Sequence, residues 1–135
     1  AALDQYLEEG PEAVWRRHEM TARACRAGIK AMGLEIWPAR DSIAAPSTTA
    51  VTIPGNLTTK QIHSAARQTY GVTLSAGRKD TYDKLIRIGH MGPVAEPIYA
   101  LAAVAVFGAA VRQHGISVDV GSGIEAAMAE VSNGA

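Results

Sequence analysis

Cysteine is almost absent. Cys25 is the only one in 135 residues, so no disulfide can close within the chain, and a reducing, cytoplasmic setting is the expectation. Aromatic side chains are scarce as well, at 5%, which argues against the stacking platforms that bind single-stranded nucleic acid. Net charge is missing: thirteen basic residues balance thirteen acidic ones. Neither nucleic acid nor an anionic membrane is therefore expected as a partner, since both favour basic patches. No long hydrophobic run occurs. The longest, residues 98–111 (IYALAAVAVFGAAV), falls short of the roughly 20 residues that span a bilayer and is expected to be a buried helix. The opening AALDQYLEEG has neither the charged nor the apolar region of a secretory leader. It also has no initiator Met, so the sequence is expected to be a piece of something longer. The four histidines, His18, His63, His90 and His114, show no metal-ligand spacing with Cys25 or with one another, and no metal site is expected.

What is present suffices for one core. Hydrophobic residues make up 47% of the sequence, and the length suits a single domain. A first helix over 3–9 breaks at Gly10-Pro11. A second follows to Met32, with Val14, His18, Thr21, Cys25, Gly28 and Met32 on its inner face. Arg16, Glu19, Arg23, Arg26 and Lys30 are expected on a solvated stripe opposite. Alternation and β-branched content predict strands at 34–37, 48–53, 72–75 and 85–88. Thr58 and Gln61 form a capping box that opens a third helix, ended by Gly71. A long apolar helix is predicted from about Glu96-Pro97 to His114. Ile116–Val120 reads as a short strand or a connector, and Ser122 with Glu125 as a second capping box opening the last helix. Short strands with grouped helices predict an α+β fold: a small, mainly antiparallel sheet of three or four strands covered by helices.

One stretch stands apart: RKDTYDKLIRIGHMG, residues 78–92. It places Arg87 inside an apolar strand that ends in Gly89-His90-Met91-Gly92. Burying a guanidinium is costly unless an acceptor meets its planar fork of donors. By alternation, Arg87 shares a face with Leu85 and Gly89, opposite Ile86 and Ile88. Two readings stay open at this point. One is a structural arginine satisfied by Asp side chains or backbone carbonyls. The other is recognition of a carboxylate or phosphate. Lys84, an odd number of positions away, reads as an exposed residue at the strand edge rather than a nucleophile. Cys25 reads as core. Neither Ser47-Thr48-Thr49 nor Ser75-Ala76-Gly77 fits a nucleophile elbow or a phosphate loop.

The run Lys84-Leu85-Ile86-Arg87-Ile88-Gly89-His90-Met91-Gly92 resembles the C-terminal signature of class V aminotransferases of the alanine–glyoxylate and serine–glyoxylate kind. These are pyridoxal phosphate enzymes of fold type I. The segments ACRAGIKAMGLEIWP, STTAVTIP and YGVTLSAG and the alanine-rich helix follow in that family's order, so the resemblance extends from about Leu3 to Glu130. It implies that residues 1–135 are the C-terminal small domain and that the large catalytic domain is absent from this chain. It also implies that Arg87 binds the carboxylate of the amino or keto acid. Arg78, in Ala76-Gly77-Arg78, stands where ordinary members are expected to have an apolar residue. Two arginines nine residues apart resemble the members that exchange an amino group between pyridoxamine and pyruvate, giving pyridoxal and L-alanine in vitamin B6 degradation. In those members pyridoxal is a substrate rather than a permanently bound phosphate cofactor.

The same resemblance implies that the Schiff-base lysine, the Asp paired with the pyridine nitrogen and the ring-stacking residues lie in the large domain. None of Lys30, Lys60, Lys79 or Lys84 occupies the lysine's position. The segment would thus hold no catalytic residue, bind no cofactor alone and work only beside its own large domain, in a dimer or higher oligomer. Two alternatives are the small domain of an alanine– or serine–glyoxylate aminotransferase with bound pyridoxal phosphate, and a free-standing carboxylate-binding α+β module.

Overall fold

The computed structural model describes residues 2–134. Helix α1 (Ala2–Glu9) ends at Gly10, and Pro11 takes the first position of α2 (Pro11–Ala31), where its missing N–H costs nothing and its fixed φ suits a helix. Helix α3 (Thr59–Tyr70) opens with the expected box: the Thr58 side chain accepts from the Gln61 backbone while Gln61 reaches back to the Thr58 N–H. Helices α4 (Pro97–Gln113) and α5 (Val120–Gly134) complete the helical set. Among the described residues, no helix is long and apolar enough to cross a membrane.

Three strands, β1 (Thr48–Thr52), β2 (Ser75–Ala76) and β3 (Leu85–Gly89), form an antiparallel sheet in the order β1-β3-β2. The α+β expectation is met, with β3 in the middle. Alternation sorts its two faces. Ile86 and Ile88 are buried opposite Val51 and Thr49, and they join Ile29, Ile62, Val104 and Phe107 in the core under the helices. The other face carries Ala50, Arg87 and Ser75 in one cross-strand row. Helices α2, α4 and α5 pack closely because small residues line their contact. A Cβ on Gly28 would lie 2.8 Å from the Gly123 carbonyl oxygen and 2.9 Å from a Val104 methyl, so any side chain there would force the helices apart.

Four expectations change. The predicted strand at 34–37 is a single antiparallel bridge, Ile36 to Val51, held by Trp37 N–H to Ala50 O (2.8 Å) and Thr52 N–H to Glu35 O (2.9 Å). The predicted strand at 72–75 shifts to Ser75–Ala76, because the Val72 N–H is taken by Ala66 O in the C-cap of α3. The last helix starts earlier than Ser122. Asp119 caps it, accepting from the Ser122 N–H (3.1 Å) and the Ser122 hydroxyl (2.8 Å), and these bonds hold the Asp119 carboxyl below the usual range. Residues 116–119 are a connector. Finally, Arg26 leaves the solvated stripe. It is 4% exposed, with Nη2 3.6 Å from Glu19 and Nε 4.0 Å from Asp41. Its Nε and Nη1 have no hydrogen-bond partner among the described residues.

Candidate functional site

Arg87 sits on the middle strand, on the sheet face turned away from the core. Its cross-strand neighbours are Ala50 and Ser75, side chains too short to cover a guanidinium. Arg87 is half-buried, and its Nε–H donates to the Ala76 carbonyl at 2.9 Å. That bond ties the guanidinium plane to strand β2. Among the described residues, no ion pair or further hydrogen bond engages the two terminal nitrogens. Their donors form the side of the fork that meets a carboxylate in two parallel bonds. The structural alternative is thus met only in part: one backbone carbonyl takes Nε, and no Asp takes the rest.

Arg78 lies two residues beyond Ala76, in the loop that leaves β2. Its side chain is exposed and makes no ion pair among the described residues, while its backbone is tied down. Strand β2 thus links the two candidate arginines through the backbone, its Ala76 carbonyl bonded to Arg87 and the loop after it carrying Arg78. Lys84 is exposed and precedes the strand, with its backbone N–H on Thr81 O and Tyr82 O. The cleft lined by Lys30, Leu34, Trp37, Arg40 and Asp41 lies outside β1, beyond the opposite edge of the sheet.

Beneath the sheet, the buried Thr49 hydroxyl meets His90 Nε2 at 2.9 Å, and Cys25 is buried in the same core. Burial pushes the Cys25 thiol up to about 11 and lowers His90 below its ordinary value. Both are neutral near pH 7, Cys25 as a thiol and His90 as an imidazole, and both are inside, as core residues. Among the described residues, no group of three or more His, Cys, Asp or Glu could hold a metal ion.

Two residues that hold this region were not legible in the sequence. Arg17 binds Glu9 through Nε and Nη2 (2.8 Å for the latter), and its Nη1 donates to Gly92 O at 2.7 Å and Ala95 O at 3.3 Å. Hydrogen bonding from Arg17 holds the Glu9 carboxyl below its usual range and raises Arg17 in return. His18 uses both ring nitrogens: Nδ1–H donates to Val14 O at 2.7 Å, and Nε2 accepts from the Gly92 N–H at 3.0 Å. Adjacent residues of α2 thus grip both polar groups of Gly92, in the turn that follows β3. The partners are 74 to 78 positions apart, and no local pattern announces such a contact.

No protein-family model matches the chain. Curated relatives do. The chain is 56% identical over 130 residues to pyridoxamine–pyruvate transaminase of Mesorhizobium japonicum, covering 96% of this chain and 33% of that protein. It is 31% identical over 128 residues to L-aspartate–glyoxylate aminotransferase of Paracoccus denitrificans, covering 95% of this chain and 32% of that protein. Among solved structures, pyridoxamine–pyruvate aminotransferase from Mesorhizobium loti superposes with a TM-score of 0.97 at 55% identity, over 98% of this chain and 34% of its own. Ureidoglycine–glyoxylate aminotransferase from Bacillus subtilis gives 0.88 at 31% identity, over 94% and 33%. The chain spans about a third of the length of the relatives it matches. By sequence and by fold, it belongs to the class V aminotransferases of fold type I and corresponds to their C-terminal domain.

Proposed function

We propose that this chain is the small domain, residues 1–135, of an aminotransferase that passes an amino group between pyridoxamine and pyruvate, yielding pyridoxal and L-alanine. In this reading it works in vitamin B6 degradation, in the cytoplasm, beside its own large domain in a dimer or higher oligomer. Arg87 receives the carboxylate of pyruvate or alanine, and Arg78 adds positive potential to the same site. The observation that carries the reading is the state of Arg87. Its Nε is fixed on Ala76 O, its outer donors are unengaged, and its cross-strand neighbours are Ala50 and Ser75. A fork held in one plane before the ligand arrives loses little rotamer entropy on binding. It orients the acid as well as attracting it. The relative at 56% identity supports the substrate pair.

A pyridoxal-type group supplies the electron sink of amino transfer, and this chain's residues do not fit one. Lys30 is ion-paired with Asp41 at 2.7 Å, while Lys60, Lys79 and Lys84 are exposed. Among the described residues, no lysine is buried where its amine would be made nucleophilic. The reading therefore assigns that lysine and the ring contacts to the large domain. The chain's own part is to bind and orient the acid.

The test is the amino acceptor of the complete protein that contains this chain. Pyridoxal should form from pyridoxamine with pyruvate, and pyruvate should outperform glyoxylate. The glyoxylate-using relatives near 31% identity favour a second reading, a glyoxylate aminotransferase with retained pyridoxal phosphate. Amino transfer from alanine or serine to glyoxylate, with no turnover of free pyridoxamine, would establish that one instead.

A further inference from the structure

The loop under Arg78 is closed by one side chain. The Thr81 hydroxyl accepts from the Arg78 backbone N–H at 2.9 Å and donates to the Arg78 carbonyl at 2.8 Å. The Thr81 N–H donates to that same carbonyl at 3.0 Å. Every one of these bonds lands on the backbone of Arg78, and none touches its guanidinium. The loop is also wound tightly. A Cβ on Gly77 would stand 2.0 Å from the Thr81 carbonyl oxygen, so only glycine fits there. Lys79 takes φ +49°, a left-handed conformation that a lysine adopts at a cost and that its surroundings must enforce. At the other end, the Gly77 N–H bonds Leu85 O at 3.0 Å, which registers the loop on β3. The result is an exposed arginine whose Cα is fixed although its side chain is free.

We propose that Thr81 is a positioning residue that sets, through Arg78, how tightly the site takes a small 2-oxo acid. The inference rests on the reading of Arg78 as part of the substrate-carboxylate site. An exposed Arg on a slack loop would spread its charge over a wide volume. With its Cα held, the guanidinium is confined to the reach of its side chain from the loop after β2, the strand whose Ala76 carbonyl holds Arg87, and the local potential felt by a carboxylate there rises. Thr81 touches no substrate in this account.

The experiment uses the complete aminotransferase containing this chain, with pyruvate and pyridoxamine varied separately. Thr81→Val keeps the shape and removes both hydroxyl bonds. It should raise KM for pyruvate about three- to tenfold and leave KM for pyridoxamine and kcat within about twofold. Thr81→Ser should restore the native KM. In an Arg78→Leu background, Thr81→Val should add nothing, because the residue through which it acts is gone. That silence separates positioning from a general structural role, which would persist in the background. If the valine is not accommodated, Thr81→Ala serves in its place with the same expectations. An Arg78→Leu enzyme with native KM for pyruvate would overturn the reading of Arg78 itself. An impaired Arg78→Leu beside a silent or background-independent Thr81→Val would overturn the role of Thr81 alone.

Discussion

Arg17 and Arg87 are both half-buried, and both donate to backbone carbonyls, Arg17 to Gly92 and Ala95 after β3 and Arg87 to Ala76 at the end of β2, yet they are committed differently. Arg17 is saturated. Glu9 takes two of its nitrogens, and Gly92 and Ala95 take the third. Among the described residues, Arg87 gives only Nε to the protein. The contrast separates two uses of the same side chain. A guanidinium whose three nitrogens are all engaged inside the domain is a tie between segments, and its removal leaves acceptors unsatisfied. One anchored by a single bond is held in place with capacity to spare, which is the condition for receiving a ligand. Arg26 fits neither pattern. It is buried with only loose partners, Glu19 at 3.6 Å and Asp41 at 4.0 Å, and nothing in the structure explains why its other donors go unmatched.

The comparison breaks most readily on stability. Arg17→Met should cost about 2 kcal/mol in urea unfolding of this chain, because the Gly92 and Ala95 carbonyls lose a charged donor. Arg87→Met, measured the same way, should cost less than about 1 kcal/mol, since a single bond is lost and the stem still packs. Equal losses would erase the distinction between tie and receiver. A smaller effect appears on acidification. Arg17 holds the folded-state carboxyl of Glu9 below its ordinary value of 4.5. The stabilisation from that pair is therefore fully present above about pH 5 and is lost as pH falls through the depressed folded value. Glu9→Gln should flatten that part of the stability–pH curve, lowering stability slightly near neutrality, where the pair is intact, and converging with the native curve at low pH, where the pair is already lost. A native-like acid limb in Glu9→Gln would show that the pair carries none of it.

How much of this was legible in the sequence depended on how far apart the cooperating residues lie. The Gly10-Pro11 break, the Thr58–Gln61 box and the alternation around Arg87 are local, and each behaves as its chemistry dictates. The α+β class followed from those local signals. Trp37 and Val72 show where locality failed. Both stretches have strand character, but one finds a single bridge on β1 and the other is drawn into a helix cap. Arg26 fails for a related reason: a charged residue at a solvent-facing helical position was covered by packing that no periodicity encodes. At the site, the pattern of an arginine on an apolar strand pointed to Arg87, and the family resemblance singled out Arg78. The small neighbours Ala50 and Ser75, the Ala76 carbonyl and the Arg17–His18 grip on Gly92 came only with the register.

The central claim is that Arg87 carries the substrate acid, and replacing its fork with a point charge tests it most directly. In the complete enzyme, Arg87→Lys should lower kcat/KM for pyruvate by about 2–3 kcal/mol, roughly 30- to 150-fold, because an ammonium cannot make the paired bonds. The value for pyridoxamine, which has no carboxylate, should change far less. Equal losses on both substrates, or a native value for pyruvate, would contradict the account.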